Sequence, residues 1–390
     1  MIAMFLAALA VYLSRMDEEK VFFHVMAAIC ICISCCIYQA YVSFSLLLAV
    51  CYFIDVLMQN NHSKQDCFRW ILRQIVMYIV SLTAYYVIWK LCMHFSGAVA
   101  TDYQGISEVG NMSVGLFING LVKAIKATIQ YFLQWNVLEH GFTLYSILNI
   151  LFLIIMVLGL LISCIKSDIF KRKWAVVLLG LCLIAVIPFA CIWAFTTESV
   201  LYRAMMLQSL TLLFVLTALL YERWARVTAK NVVCLFLILV VFNNALMANI
   251  SYFYMNLCYE RTYAEGVEMM TEIHDFQDEY EFDKIAVVGT RIDDVKQENI
   301  DPETGKMQIS GKIPILSTKV ERTLLFDSDH TTRYLQATFG FELESLNMTQ
   351  RNNLLNTDEV KSMGCWPAGD SITVIDDTLV IKLSDKEEGN

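Results

Sequence analysis

Six side chains near the ends of apolar runs are the ones best placed for chemistry: Asp102, Glu108, Glu139, His140, Glu198 and Arg203. Burying charge at such a rim is costly unless it serves a pathway or a partner. Arg203 stands a few residues into an apolar run that begins near Leu201, with Glu198 just ahead of it. A guanidinium fork matches phosphate oxygens two at a time and stays charged, so Arg203 reads either as the holder of a lipid-borne phosphate or as the local ion-pair partner of Glu198. Asp102 and Glu139 read either as general bases toward a sugar hydroxyl or as solvated loop acids. No cysteine or histidine spacing resembles a zinc site.

The elements that must position these groups are membrane helices. A bilayer core of ~30 Å takes about 20 apolar residues as a helix. Residues 70–95, 143–165, 174–196, 201–221 and 231–254 each supply such a run. Residues 21–58 are too long for one crossing and read as two helices meeting at Tyr38-Gln39-Ala40-Tyr41, where polar and aromatic groups suit an interface. Residues 1–13 are apolar but short, without the basic start and cleavage site of a signal peptide, and read as the tail of a helix. The expected fold is an α-helical polytopic membrane protein of about eight crossings, the first incomplete, followed by a small extracytoplasmic α/β domain. The domain boundary falls between 1–254, a transmembrane bundle with an outer-face loop at 96–142, and 255–390.

Charge supports that division. From Met255 onward there are 13 basic and 27 acidic residues, a net of −14, whereas residues 1–254 carry a net of +5. Hydrophobic residues make up 57% of the chain and charged ones 17%, which excludes a disordered chain, a collagen-like repeat and a basic nucleic-acid binder. Lys and Arg are retained on the cytoplasmic side. Placing the Lys64, Arg69, Arg73 segment inside also brings in Lys166 to Lys173, the Arg223, Arg226, Lys230 group and the loop from Arg15 to Lys20. Residues 38–41, 96–142, 196–202 and the acidic tail then fall outside.

Within 96–142, Val114, Phe117, Ile118, Leu121, Val122, Ile125, Ile129, Phe132 and Leu133 recur at helical spacing, while Asn119, Lys123, Lys126, Gln130 and Gln134 take the other face. This predicts a helix lying flat on the outer leaflet with Trp135 anchoring its end, either as a structural brace or as a guide for substrate. Asp55 and Lys90, near helix ends, are expected to snorkel, and Pro188 to kink its helix. Eleven of the 13 cysteines precede Met255, mostly in apolar runs where cysteine acts as a small hydrophobe. Cys258 and Cys365 in the polar half leave a bridge open. In the rear, residues 259–276 read as a helix, Lys284-Ile-Ala-Val-Val-Gly-Thr as a buried strand, and 371–375 with 378–383 as a hairpin around Asp376-Asp377. The lone Gly289 makes no nucleotide loop.

The order of these elements is familiar. The helix pair around Ile37-Tyr38-Gln39-Ala40-Tyr41-Val42-Ser43-Phe44, the Tyr202-Arg203 pair and Met255-Asn256-Leu257-Cys258-Tyr259-Glu260-Arg261-Thr262-Tyr263-Ala264 resemble the GtrII-type bacterial membrane glucosyltransferases. So do Val287-Val288-Gly289 and the ending Ser371-Ile372-Thr373-Val374-Ile375-Asp376 with Val380-Ile381-Lys382-Leu383. The resemblance implies a GT-C-like enzyme of the cytoplasmic membrane, its C-terminal domain extracytoplasmic. Such an enzyme moves a sugar, glucose by the family's name, from a polyprenyl-phosphate carrier to a cell-surface glycan.

The partners implied are that lipid-linked donor, the glycan acceptor and membrane lipid, with no nucleic acid; no cofactor is implied by any motif. Arg203, Lys123 and Lys126 are the expected phosphate-binding cations, and Tyr38, Gln39 and Tyr41 the expected sugar or lipid contacts. Tyr103 and Trp135 serve equally as stacking groups or interface anchors. The family's acidic residues belong to a first outer loop that this sequence does not contain. Asp102 and Glu139 are therefore the carboxylates on offer, and the chain as it stands is expected not to transfer sugar. A flippase or transporter of lipid-linked sugars, and a non-catalytic membrane scaffold, are the alternative classes.

Overall fold

The computed structural model describes residues 1–16, 21–59, 61–97, 114–133, 144–196, 204–291 and 324–387. These divide into two units, Met1–Phe242 and Asn243–Asn390. The first unit is helical: α1 (Ile2–Met16), α2 (Val21–Ile37), α3 (Tyr41–Gln59), α4 (Lys64–Ser96), α5 (Val114–Leu133), α6 (Leu144–Lys166), α7 (Lys173–Ala190), α8 (Leu212–Trp224) and the opening of α9 (Val227–Glu279). Short 3-10 helices cover Ile169–Lys171, Ile192–Phe195 and Ala204–Thr211.

Among the described residues six helical segments are long and apolar enough to cross a membrane: α3, α4, α6, α7, Met206–Trp224 and α9. At 15 and 17 residues, α1 and α2 fall short of the ~20 needed. The expectation of eight crossings exceeds this count by those two. The long apolar run at 21–58 does divide at the expected place. There the Tyr41 N–H donates to the Tyr38 carbonyl at 3.3 Å and the Val42 N–H to the Gln39 carbonyl at 3.1 Å, turning the chain from α2 into α3. Helix α4 begins at a capping box in which the Ser63 side chain accepts from the Asp66 N–H, and it ends at Gly97 with φ of 65°.

Helix α3 is the centre of the unit. Its Leu47, Phe53, Ile54 and Leu57 pack with Phe152 of α6, Leu210, and Leu216 and Leu220 of α8. Helices α4, α6 and α7 keep much of their apolar surface outward, as lipid-facing helices must. A smaller cluster joins Ala10 of α1, Ala27 and Ile31 of α2, and Met77 and Tyr78 of α4.

One end of this unit is tied by cations. Lys166 Nζ donates to the Trp224 carbonyl at 2.6 Å, and Arg172 Nη2 to the Leu57 carbonyl at 3.1 Å. Arg15 lies 4.5 Å over the Tyr52 ring. Lys166 and Arg172 meet helix C-terminal turns, whose last carbonyls lack intrahelical partners and carry partial negative charge. Asp55 belongs to the same end and does not snorkel: it is buried, 2.9 Å from Arg223 Nε, and its other oxygen accepts from Gln59 at 2.7 Å. A carboxylate so enclosed needs a cation beside it, and the fold supplies one from α8.

The second unit has a four-stranded sheet in the order β2-β1-β4-β3. The strands are β1 (Lys284–Val288), β2 (Glu344–Ser345), β3 (Ile372–Ile375) and β4 (Thr378–Lys382), accompanied by α10 (Ser328–Phe339), α11 (Met348–Leu355) and α12 (Asp358–Ser362). Strand β1 pairs parallel to β2 and β4, and β3 and β4 form the expected hairpin around Asp376 and Asp377. Gly289, with φ of 82°, leaves no room for a side chain beside the Ser384 backbone, a close-approach role and not a phosphate loop. Arg291 Nη1 binds Glu265 at 2.8 Å, and Trp366 Nε1 donates to the same carboxylate at 3.0 Å, fastening α9 to the segment after β1 and to the turn at Trp366. Cys258 and Cys365 are both free thiols, so the bridge left open by the sequence does not form.

The sequence places a membrane helix and a separate helix at 259–276, yet α9 is continuous through both. No glycine or proline lies between Tyr254 and Ala264, and nothing there breaks the hydrogen-bond ladder.

Candidate functional site

Asp102, Glu139 and Arg203 lie outside the described residues, as do Glu108, His140, Glu198, Tyr103 and Trp135. The structure describes the elements bonded to their loops. Residues 98–113 lead into α5, residues 134–143 run from α5 to α6, and residues 197–203 run from the Ile192–Phe195 helix to the Ala204–Thr211 helix. Helix α6 and the two 3-10 helices each pack on α5. All three loops therefore adjoin α5 or an element packed on it, and residues 134–143 lie where α6 begins. Twenty-three residues later α6 ends at Lys166, on the end tied by cations, about 35 Å away at 1.5 Å per residue.

Helix α5 is fixed into this end in two ways. Its last carbonyls, unsatisfied within the helix, accept from the first turns of α6: Tyr145 hydroxyl to Tyr131 at 2.7 Å, Ser146 to Leu133 at 2.8 Å and Asn149 to Phe132 at 3.1 Å. Phe132 then reaches buried Phe152 and half-buried Phe214, whose ring centroids lie 3.9 Å apart. Further along, a Cβ on Gly120 would stand 2.6 Å from the Ala194 carbonyl oxygen, so only glycine allows that approach. Pro188 lies inside α7, and two residues beyond it the α-helix gives way at Ala190 to the 3-10 turn that holds Ala194.

The face by which α5 packs is not the one its amphipathic pattern suggests. Leu116, Gly120, Ala124 and Ala127 are buried against the bundle, while Phe117, Ile118, Leu121, Val122, Ile125 and Ile129 are exposed. Small residues allow close helix approach, whereas the large apolar arc is left for lipid. The polar strip, with Asn119, Lys126 and Gln130, runs between the two. Lys126 is exposed on it and Lys123, half-buried, stands at its inner edge. They are one helical turn apart on one side of α5, so two ammonium groups share a strip that borders both the packed face and the lipid-exposed face.

Tyr38, Gln39 and Tyr41 occupy the turn between α2 and α3. Tyr41 is buried, and with Tyr38 it packs on Ala3, Met4 and Ala7 of α1; their rings meet edge to face at 5.6 Å. Tyr41 is thus taken up in holding α1, while Tyr38 and Gln39 keep partial exposure. The Asp55–Arg223 pair escaped the sequence reading, since a lone acid in an apolar run carries no signal of a partner 168 residues away. Among the described residues no three His, Cys, Asp or Glu gather as metal ligands.

The family model described as Glucosyl transferase GtrII matches residues 1–221, more than half of the chain. No curated protein and no solved structure matches it.

Proposed function

The chain belongs to the GtrII glucosyl transferase family, and from that premise we propose that it takes a glucosyl group from a polyprenyl-phosphate carrier at the end of the bundle that holds α5. Membership makes it a multi-pass membrane protein of a glycosyltransferase family; the donor, the acceptor and the site are the further step. The observation that supports this step most is the packing of α6 and the two 3-10 helices on α5, the elements which the candidate loops adjoin. This packing lies at the end opposite the cationic one. With the basic loops cytoplasmic, this end of the bundle faces outward, toward a cell-surface glycan.

In this reading the prenyl chain lies along lipid-exposed helix surface. Its phosphate is held by Arg203, which is bonded to the first residue of the Ala204–Thr211 helix, and by Lys123 and Lys126. Tyr38 and Gln39 offer a secondary contact to sugar or lipid. The acceptor hydroxyl oxygen attacks the anomeric carbon, the bond from that carbon to the phosphate oxygen breaks, and polyprenyl phosphate leaves with its electron pair. The cations stabilise charge gathering on the phosphate. A carboxylate takes the hydroxyl proton, and Asp102 and Glu139 are the groups on the adjoining loops with that chemistry.

Two readouts separate binding from transfer. A photoactivatable polyprenyl-phosphate glucose should label the chain in membranes, and Arg203→Ala should abolish that labelling with insertion unchanged. Labelling that ignores Arg203, Lys123 and Lys126 alike would overturn the donor site. Transfer of labelled glucose to glycan that disappears in Asp102→Asn or Glu139→Gln assigns the base. A chain that captures donor and transfers nothing places the base elsewhere.

A further inference from the structure

The second unit carries an aromatic surface that the transfer step does not use. Along α9, Tyr259 and Tyr263 are one turn apart on one face and are 54% and 48% exposed. The Tyr263 ring lies beside that of Phe339 from α10, centroids 5.9 Å apart and planes within 24°, and Tyr334 meets Phe339 edge-on at 6.1 Å. Gly266 makes this possible, since a Cβ there would come within 2.9 Å of Phe339 and 3.1 Å of Tyr334. The backbone below is pinned by Thr262, whose hydroxyl donates to the Cys258 carbonyl at 2.7 Å and accepts the Leu324 N–H at 2.9 Å. Beside the rings, Asn256 donates to Glu260 at 2.8 Å, both exposed, so an amide and a carboxylate border the aromatic face.

A stacked Tyr263–Phe339 pair with Tyr259 exposed one turn away, edged by an amide and a carboxylate, has the chemistry of a sugar's complement. A pyranose has an apolar face of C–H groups and a rim of hydroxyls, and it needs a flat ring for the first and donor and acceptor groups for the second. We infer that Tyr259, Tyr263 and Phe339 form a carbohydrate-binding platform that holds the glycan acceptor. The inference rests on the transferase reading for the identity of the glycan, but not for the platform itself. Burial, with the phenols of Tyr259 and Tyr263 adding to it, raises the Tyr334 hydroxyl above its ordinary value.

The competing occupant is the lipid headgroup layer, where tyrosines commonly anchor helices. Two observations disfavour it. From Tyr252, exposed on the same face, to Tyr263 the helix rises about 16 Å, roughly twice the depth of one interfacial layer. The unit also carries a net of −14 from Met255 onward, which repels an anionic membrane surface and leaves a neutral sugar unaffected.

The test uses the full chain in neutral-lipid nanodiscs and a panel of bacterial surface oligosaccharides, read by saturation-transfer NMR without any donor. Wild type should transfer saturation to the C–H protons of one sugar face. The Tyr259→Ala, Tyr263→Ala double variant should bind at least about tenfold more weakly, the scale of losing an aromatic anchor. The Tyr259→Phe, Tyr263→Phe pair should keep binding, which separates lost rings from lost folding. No binding by wild type, equal binding by the alanine pair, or relaxation of these rings by spin-labelled lipid headgroups would each overturn the platform. Because no transfer is measured, a chain that fails to capture donor can still pass, and one that captures donor can still fail.

Discussion

At the scale of single residues the account depends on where charge is held. Asp55 is buried and Arg223 meets it with a side chain 45% exposed, so the pair sits between a surface ion pair and a fully enclosed one. Removing the arginine strands a carboxylate whose remaining hydrogen bond is from Gln59. Arg223→Ala should therefore lower stability by about 1–3 kcal/mol, less than the loss for a fully buried pair. Thermal unfolding in detergent checks this, and an unchanged midpoint would show that Asp55 is neutralised another way. For Arg203 the expectation is chemical: alanine abolishes donor capture, and lysine restores it only in part because a point charge cannot reproduce a two-pronged fork. Full rescue by lysine would reduce the role to net charge.

At the scale of elements, α5 is the piece on which the site depends. Gly120→Ala should displace α5 from the Ile192–Phe195 turn and cost roughly 1–3 kcal/mol as an overpacked contact, with donor capture falling alongside stability. Ile125→Ala, on the exposed arc, should stay within about 0.5 kcal/mol. Equal effects from both would refute the packing described for this helix. The existence of α5 was legible in its period, but the face by which it packs was not. Hydrophobic periodicity separates apolar from polar, and in a membrane the large apolar arc belongs to lipid while glycine and alanine seek the protein. The turn at Tyr38 to Tyr41, the strand at 284 and the hairpin at Asp376-Asp377 were readable because each is dictated within a few residues. The fusion of two helices into α9 and the pairing of Asp55 with Arg223 were not. The first turns on the absence of a breaker and the second on contacts between distant segments.

At the scale of the whole molecule, the basic loops that assign orientation are physically joined: Arg172 to α3, Lys166 to α8 and Arg223 to Asp55. A cysteine introduced at Asp301 should react with an impermeant reagent on intact cells, whereas one at Lys171 should stay protected. The opposite pattern would invert the topology and move the proposed site to the cytoplasmic face.

The most direct measurement maps where the donor binds. Membranes containing the chain are irradiated with a photoactivatable polyprenyl-phosphate glucose, and the labelled peptides are identified by mass spectrometry. The account predicts label within residues 114–133 or 197–211, suppressed by Arg203→Ala and reduced by Lys123→Ala. Label confined to peptides at the cationic end, around Asp55, Lys166 and Arg223, would contradict it.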